Sequence, residues 1–90
     1  MNKTNSSAPL FSVIIPNHNG ESSLPEVLEA ILAPGYSSLE VIVVDDASTD
    51  DSRAIAGKYP VKLIRHEECR GASAARNSGA AAAAGTILVF

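Results

Sequence analysis

The stretch that most constrains the fold is the run of four β-branched residues Val41–Val44, which ends at two adjacent carboxylates, Asp45 and Asp46. A strand that is apolar at every position fits a sheet covered on both faces, and such sheets are usually parallel. Ligands of open α/β sheets bind at the carboxyl ends of the strands, where these acids stand. Adjacent strand residues point to opposite faces, so only one carboxylate can face a given site. Asp is also favoured in turns and at helix starts, which leaves a purely structural interpretation open.

Three further strands and three helices are predicted from the rest of the chain. Apolar and β-branched runs predict strands at 11–15 (closed by Pro16), 61–65 and 86–90. Apolar spacing and capping residues predict three helices. The first begins at Ser22 or Ser23 and ends at Pro34-Gly35, and the second runs from about Asp50 to Lys58 after a cap at Ser48 or Thr49. The third runs from Ser73 to Ala84, with Gly85 as the stop. We assign His66–Gly71 to a loop. The resulting β-α-β-α-β-α-β order predicts right-handed parallel crossovers and an α/β domain.

Length, charge and composition exclude several classes of protein. The chain has 90 residues and a formal net charge of −3, which allows one small domain and gives no basic patch for nucleic acid or a membrane surface. A single cysteine, Cys69, excludes an internal disulfide. No apolar segment approaches the ~20 residues that span a bilayer. Residues 1–9 lack the apolar part of a secretory signal, so we expect a disordered lead-in, a folded part at 10–90 and a cytoplasmic location.

Four segments together resemble the family 2 nucleotide-sugar glycosyltransferases. Ser12–Asn19 resembles the opening strand of that family, and Glu40–Asp51 resembles its second strand. Gly71–Gly79 resembles its Gly-x-x-x-Ala-Arg-Asn-x-Gly helix, and Gly85–Phe90 is similar to the strand that leads into its Asp-x-Asp metal motif. The resemblance implies the Rossmann-like half of a GT-A fold, a three-layer α/β sandwich whose four-stranded parallel sheet has the order 3-2-1-4.

The resemblance also implies a nucleotide site at the carboxyl ends of the first, second and fourth strands. Pro16, Asn17 and His18 match the loop that lies against the base and ribose, although the family more often has Tyr where His18 stands. Asp46 matches the carboxylate that reads the base, and Arg76 matches a helix arginine near the diphosphate. A carboxylate only accepts hydrogen bonds, so it suits the ring N–H of uracil, which guanine and thymine also present.

Other residues of these motifs are expected to serve the fold. Asp45 is expected to orient its loop or to cap the next helix, and Asn77 to cap or brace a loop. Gly71 and Gly79 are expected to serve backbone conformation and close packing.

The function implied by the resemblance is sugar transfer from a nucleotide-sugar donor, expected to be UDP-linked, with a divalent Mg or Mn ion in the parent enzyme. The metal motif and the catalytic base of the family would follow Phe90, so we expect this chain to hold no metal and no catalytic residue, and to be inactive alone. The sugar, the acceptor and the stereochemical outcome are left open.

The same residues leave alternative functions open. One is a non-catalytic module that folds or self-associates without nucleotide. We expect self-association through strand 86–90, whose unpaired backbone N–H and C=O groups would meet solvent beside exposed apolar side chains. A receiver-type signalling domain carries its acid pair after the first strand, whereas here the pair follows the second. A dinucleotide-binding domain needs Gly-x-Gly-x-x-Gly after the first strand, and residues 16–20 lack it.

Overall fold

The computed structural model describes residues 10–33 and 38–89. The elements are β1 (Phe11–Asn17), α1 (Leu24–Leu32), β2 (Leu39–Asp46), α2 (Ser52–Ala56), β3 (Lys62–His66), α3 (Ala72–Ala82) and β4 (Thr86–Val89). This alternation of strands and helices is the predicted one. The predicted lead-in at 1–9, the helix stop at Pro34-Gly35 and the last residue of the predicted fourth strand, Phe90, lie outside the described residues.

The four strands form one parallel sheet in the order β3-β2-β1-β4, which confirms the predicted order. β1 pairs with β2 from Phe11↔Leu39 to Asn17↔Asp45, and β2 pairs with β3 up to Asp46↔His66. On its other side β1 pairs with β4. Since all strands run in the same direction, the loops that follow β1, β2 and β3 meet at one edge of the sheet.

Helices cover both faces of the sheet, as the all-apolar β2 predicts. On one face, Val13, Ile15, Val41 and Val43 pack with α1 and α2, and Leu28 of α1 is completely buried there. Burying a side chain of this size stabilises the fold by about 2 kcal/mol.

On the other face, Ile14 and Ile42 pack against α3 through Ala75. A Cβ at Gly79 would lie 2.5 Å from Ile14 Cγ2, so α3 approaches β1 closely only because residue 79 has no side chain. The packing role predicted for Gly79 agrees with this contact.

Several element ends differ from the sequence prediction. β1 continues through Pro16 to Asn17, two residues past the predicted strand at 11–15. α2 covers only Ser52–Ala56 and begins after Asp51, not after Ser48 or Thr49. The reason is local, because the Asp50 carboxylate accepts a hydrogen bond from Ser52 N at 2.9 Å and holds residues 50–52 in a turn. α1 does begin after Ser23, but without a side-chain capping bond.

The end of α3 is a second correction. The helix stops at Ala82, and Ala83 is extended, with φ −76° and ψ 141°. Gly85 therefore does not stop the helix as predicted. A side chain at position 85 would collide with the backbone of Leu10. The backbone N–H of Gly85 donates a hydrogen bond to Ser12 Oγ at 3.0 Å. Gly85 is needed for the close approach of the chain to β1.

A polar cluster around Glu40 joins the elements at the amino end of the sheet. Glu40 Oε1 accepts hydrogen bonds from Ser12 Oγ at 2.7 Å and from Ala84 N at 3.0 Å, and Lys62 Nζ lies 3.0 Å from Oε2. The Ala84 N–H first, then the Ser12 hydroxyl and Lys62, lower the pKa of Glu40 to about 2. This carboxylate links β1, β2 and β3 to the segment that leads into β4.

No helix within residues 10–33 and 38–89 is long and apolar enough to cross a membrane.

Candidate functional site

Asp45 and Asp46 end β2 and point to opposite faces of the sheet, as strand geometry requires. Asp45 is completely buried. Its carboxylate accepts hydrogen bonds from Asn17 Nδ2 at 3.1 Å, Ser48 N at 3.1 Å and Arg53 Nε at 2.7 Å. Burial opposes the ionisation of Asp45, but the hydrogen bonds from Ser48 and Arg53 outweigh it and hold the pKa below its usual value. These contacts agree with the structural role expected of Asp45.

Asp46 lies on the α3 face and is only 4% exposed. Its Oδ1 accepts hydrogen bonds from His66 Nδ1 at 2.9 Å and Arg70 N at 2.8 Å. Its Oδ2 accepts hydrogen bonds from Gly71 N at 2.8 Å and from the Cys69 thiol at 3.3 Å. The Arg70 N–H and the His66 ring hold the pKa of Asp46 well below its usual range. A carboxylate offers about four lone-pair sites, so each site of Asp46 already has a donor.

The sequence predicts a loop at His66, but the structure places this residue at the end of β3 with 4% exposure. Because a carboxylate only accepts, His66 Nδ1 carries the proton towards Asp46. The other ring nitrogen lies 2.8 Å from Ser78 Oγ on α3. This contact has no signal in the sequence, because it depends on the β2–β3 register, in which Asp46 is paired with His66.

A cavity of about 160 Å³ opens beside Asp46, at the carboxyl ends of β1 and β2. It is lined by Pro16, Asn17, His18, Asp46, Ala72 and Ala75. Four of the five predicted site residues therefore meet at one place. The fifth, Arg76, is not among the lining residues; it is exposed on α3, next to Ala75. Pockets that enclose a drug-sized ligand measure ~300–1,000 Å³, so this cavity has room for one part of a nucleotide.

His18 is held in place at the edge of the cavity. Its Nδ1 lies 2.7 Å from the Asp46 carbonyl oxygen, and because a carbonyl only accepts, Nδ1 carries a proton and donates it. The neighbouring Asn19, at φ 54°, accepts hydrogen bonds from Thr49 N at 2.8 Å and Asp50 N at 3.3 Å. The loop after β1 is thus fastened to the loop after β2. Asn adopts positive φ more readily than most residues, so an Asn in this loop is the sequence signal that could have predicted the role of Asn19.

Metal ions are usually held in proteins by groups of His, Cys, Asp and Glu side chains. Within 10–33 and 38–89 no three His, Cys, Asp or Glu side chains form a group that could hold one. The four donors around Asp46 also occupy its lone pairs. The residues within these ranges therefore do not form a metal site of three such ligands.

Comparison with known families assigns the chain. The profile of Glycosyl transferase family 2 matches residues 12–90. The chain belongs to this family. The resemblance found in the sequence motifs is confirmed, and the receiver-type alternative is excluded. One relative is the uncharacterized glycosyltransferase YibD of Escherichia coli. It is 36% identical to this chain over the whole of the chain, which spans 26% of the length of YibD.

Solved structures with the same fold include two with bound nucleotides. TarS 1-349 of S. aureus in complex with UDP superposes with a TM-score of 0.84 at 32% identity, over 90% of this chain and 26% of TarS 1-349. The mannosyltransferase PcManGT of Pyrobaculum calidifontis, in complex with GDP-Man and Mn2+, superposes with a TM-score of 0.76 at 35% identity, over 86% of this chain and 25% of PcManGT. The family 2 chain therefore spans about a quarter of the length of these two solved chains.

Proposed function

We propose that this chain is the nucleotide-binding part of a glycosyltransferase that takes a UDP-sugar as donor. The observation that carries the proposal is the cavity at the carboxyl ends of β1 and β2, which a buried, ionised Asp46 lines together with Pro16, Asn17 and His18. The complex of the related TarS with UDP supports the choice of nucleotide. A cytoplasmic location is part of the same proposal.

The chemistry of Asp46 restricts the base. The carboxylate is ionised and only accepts hydrogen bonds, so it discriminates in favour of a base with a ring N–H, such as uracil or guanine. Adenine and cytosine present no such donor. PcManGT binds GDP-Man, which makes guanine the competing candidate. The cavity of about 160 Å³ favours the single ring of uracil over the double ring of guanine.

Arg76 is proposed to act outside the cavity, on the diphosphate. It is exposed and directly follows Ala75, which lines the cavity. A guanidinium presents a planar set of donors that matches phosphate oxygens, so an exposed arginine next to a cavity-lining residue suits the charged part of the nucleotide. The sugar and the acceptor are not specified by these residues.

Calorimetric titration of the chain with UDP, GDP, CDP and ADP tests the proposal. CDP and ADP are matched controls, because they carry the same diphosphate on a base without the ring N–H. We expect UDP to bind most tightly, GDP more weakly, and CDP and ADP at least about ten-fold more weakly than UDP, since one hydrogen bond to a charged group is worth about 1.5–3 kcal/mol. Equal affinity for all four would show that Asp46 reads no base.

The chain alone is proposed to bind the donor without catalysing sugar transfer. Incubation with UDP-sugars and a divalent metal is expected to give binding without sugar transfer or donor hydrolysis. Released UDP in excess of a no-protein control would contradict this expectation.

Self-association is a second candidate property, favoured by the β4 edge. Ile87 of β4 is 42% exposed, and the strand follows β1 at the end of the described sheet order. An unpaired strand edge beside apolar side chains favours pairing with another copy. Light scattering over a concentration series should show a mass that rises with concentration, and a constant monomer mass would contradict it.

A further inference from the structure

The four donors around Asp46 differ in how easily a ligand could replace them. We propose that Cys69 is the exchangeable partner of Asp46, whose thiol the nucleotide base displaces from Oδ2, so that Cys69 tunes the affinity of the site. This inference rests on the proposed function, because it assumes that a base with a ring N–H enters the cavity. It adds a residue outside the set of predicted site residues.

The two backbone donors are fixed by the start of α3. Gly71 donates to Asp46 Oδ2 at 2.8 Å with φ 94°, and its carbonyl oxygen accepts Ala75 N at 3.0 Å within the first turn. Arg70 N donates to Oδ1 at 2.8 Å. To withdraw either N–H, the backbone that leads into α3 would have to change its conformation.

The imidazole donor is fixed from both sides. His66 is 4% exposed and ends β3, so its backbone cannot move away from Asp46 without disrupting the sheet. Its second ring nitrogen is held 2.8 Å from Ser78 Oγ on α3. Displacing this ring would leave a buried polar group without a partner, which is costly.

The thiol differs from the other three donors in strength and in freedom. An S–H group is a weak donor, and the 3.3 Å separation from Oδ2 is the longest of the four contacts. Cys69 is exposed, so a rotation of its side chain releases the carboxylate oxygen without any movement of the backbone. The hydrogen bond to Asp46 raises the pKa of the Cys69 thiol, which keeps the proton on sulfur at neutral pH.

A ring N–H can therefore bind Asp46 at the cost of one weak hydrogen bond. The saturated carboxylate would otherwise have no lone pair for a base, and reading by Asp46 would require the loop before α3 to open. Exchange at Oδ2 reconciles the four observed contacts with a base-reading role. A stronger donor at position 69 should compete with the base, and a side chain without a donor should not.

Cys69→Ala and Cys69→Ser form a matched pair for the test, since the two variants differ by one hydroxyl group. UDP affinity is measured by calorimetry for the wild-type chain and both variants, with thermal melts as a control for folding. We expect Cys69→Ala to bind UDP about two- to ten-fold more tightly than Cys69→Ser, with the wild type between them. CDP, which lacks the ring N–H, should bind all three chains equally.

The reactivity of the thiol gives a second measurement, because Cys69 is the only cysteine of the chain. The rate of alkylation is followed as a function of pH by mass spectrometry, with and without saturating UDP. Displacement from Asp46 should move the midpoint of the alkylation profile to lower pH, whether or not the bound base slows the maximal rate. An unchanged midpoint would overturn the proposal.

The outcomes separate this inference from the proposed function. If UDP binds all three chains with the same affinity, or if both variants weaken binding equally, Cys69 is not exchangeable, although the nucleotide site stands. If no nucleotide binds the wild-type chain, the proposed function is wrong and this inference falls with it.

Discussion

Asp45 and Asp46 are adjacent, identical and both buried, yet their surroundings differ. Asp45 is paired with the cation of Arg53 and does not line the cavity beside Asp46. Asp46 accepts two backbone N–H groups, an imidazole and a thiol, and it lines a cavity. Burial alone therefore does not distinguish a structural carboxylate from a binding one. What distinguishes them is whether a cavity meets the carboxylate and whether one of its donors can leave.

The two carboxylates also connect different parts of the molecule. Asp45 links β1, the loop after β2 and α2, on the face that carries the larger apolar core. Asp46 links β3 and the start of α3, on the face that carries the smaller, alanine-lined core. Substitutions at the first should act mainly on stability, and substitutions at the second mainly on binding.

The largest effect is expected for Asp45→Ala. The variant removes a buried carboxylate and leaves Arg53 and Asn17 without their partner, which should lower the free energy of unfolding by about 3 kcal/mol. Urea denaturation measures it. Asp51→Ala is the matched control, since Asp51 is exposed and its side chain makes no capping bond, and it should change stability by less than ~0.5 kcal/mol. If both variants lowered the free energy of unfolding equally, Asp45 would contribute no more to stability than an exposed aspartate.

Asp46→Asn should weaken UDP binding roughly 10- to 150-fold, the range for a lost hydrogen bond to a charged group. The amide keeps the size of the side chain but offers one acceptor oxygen, which the donors of the loop before α3 will occupy. Calorimetry measures the affinity, with Asp51→Asn as the control for the loss of one charge. Unchanged UDP affinity in Asp46→Asn would exclude Asp46 from the site, and the two carboxylates would then no longer differ in binding.

Glu40, at the opposite end of β2, sharpens the comparison because it is a structural carboxylate on the same face as Asp46. Its folded pKa of about 2 lies below the ordinary 4.5, so its contribution to stability is complete above pH 4.5 and is lost as the pH falls towards 2. Glu40→Gln should lower stability at neutral pH by about 1 kcal/mol, with solvent screening of the exposed Lys62 pair taken into account. UDP affinity should not change.

Urea denaturation between pH 2 and neutral pH checks the direction in which the stability contributed by Glu40 changes with pH. The difference between the wild type and Glu40→Gln should shrink as the pH falls from 4.5 towards 2, since the wild-type carboxylate becomes protonated. A difference that grows in acid would contradict the lowered pKa.

Ala47→Gly should give the smallest effect, and it should be stabilising. Ala47 follows Asp46 with φ 59°, a left-handed conformation that costs a residue with a Cβ about 1–2 kcal/mol. Glycine removes that cost but loses more conformational entropy on folding, so the net gain is expected to be at most ~1 kcal/mol. A thermal melt measures it. Destabilisation would show that the Ala47 methyl group contributes packing that outweighs the strain.

The sequence predicted the element order, the parallel sheet with its strand order and the family, because each depends on local patterns or on motifs that are contiguous in the chain. It also placed Pro16, Asn17, His18 and Asp46 at one edge of the sheet. Element ends were less predictable. The end of α3 and the role of Gly85 depend on the approach of Leu10, which is distant in sequence and carries no local signal.

The amino-acid sequence by itself determined that β2 is covered on both faces and ends in two acids that must point apart, because periodicity and strand geometry are local properties. Only the tertiary structure decided which partners each acid acquired. The contacts of Asp46 come from residues 20 to 25 positions further along the chain, brought together by the β2–β3 register and by the close packing of α3 over Gly79. A pattern of single residues cannot encode such a contact, because it exists only when both strands and the helix have assembled.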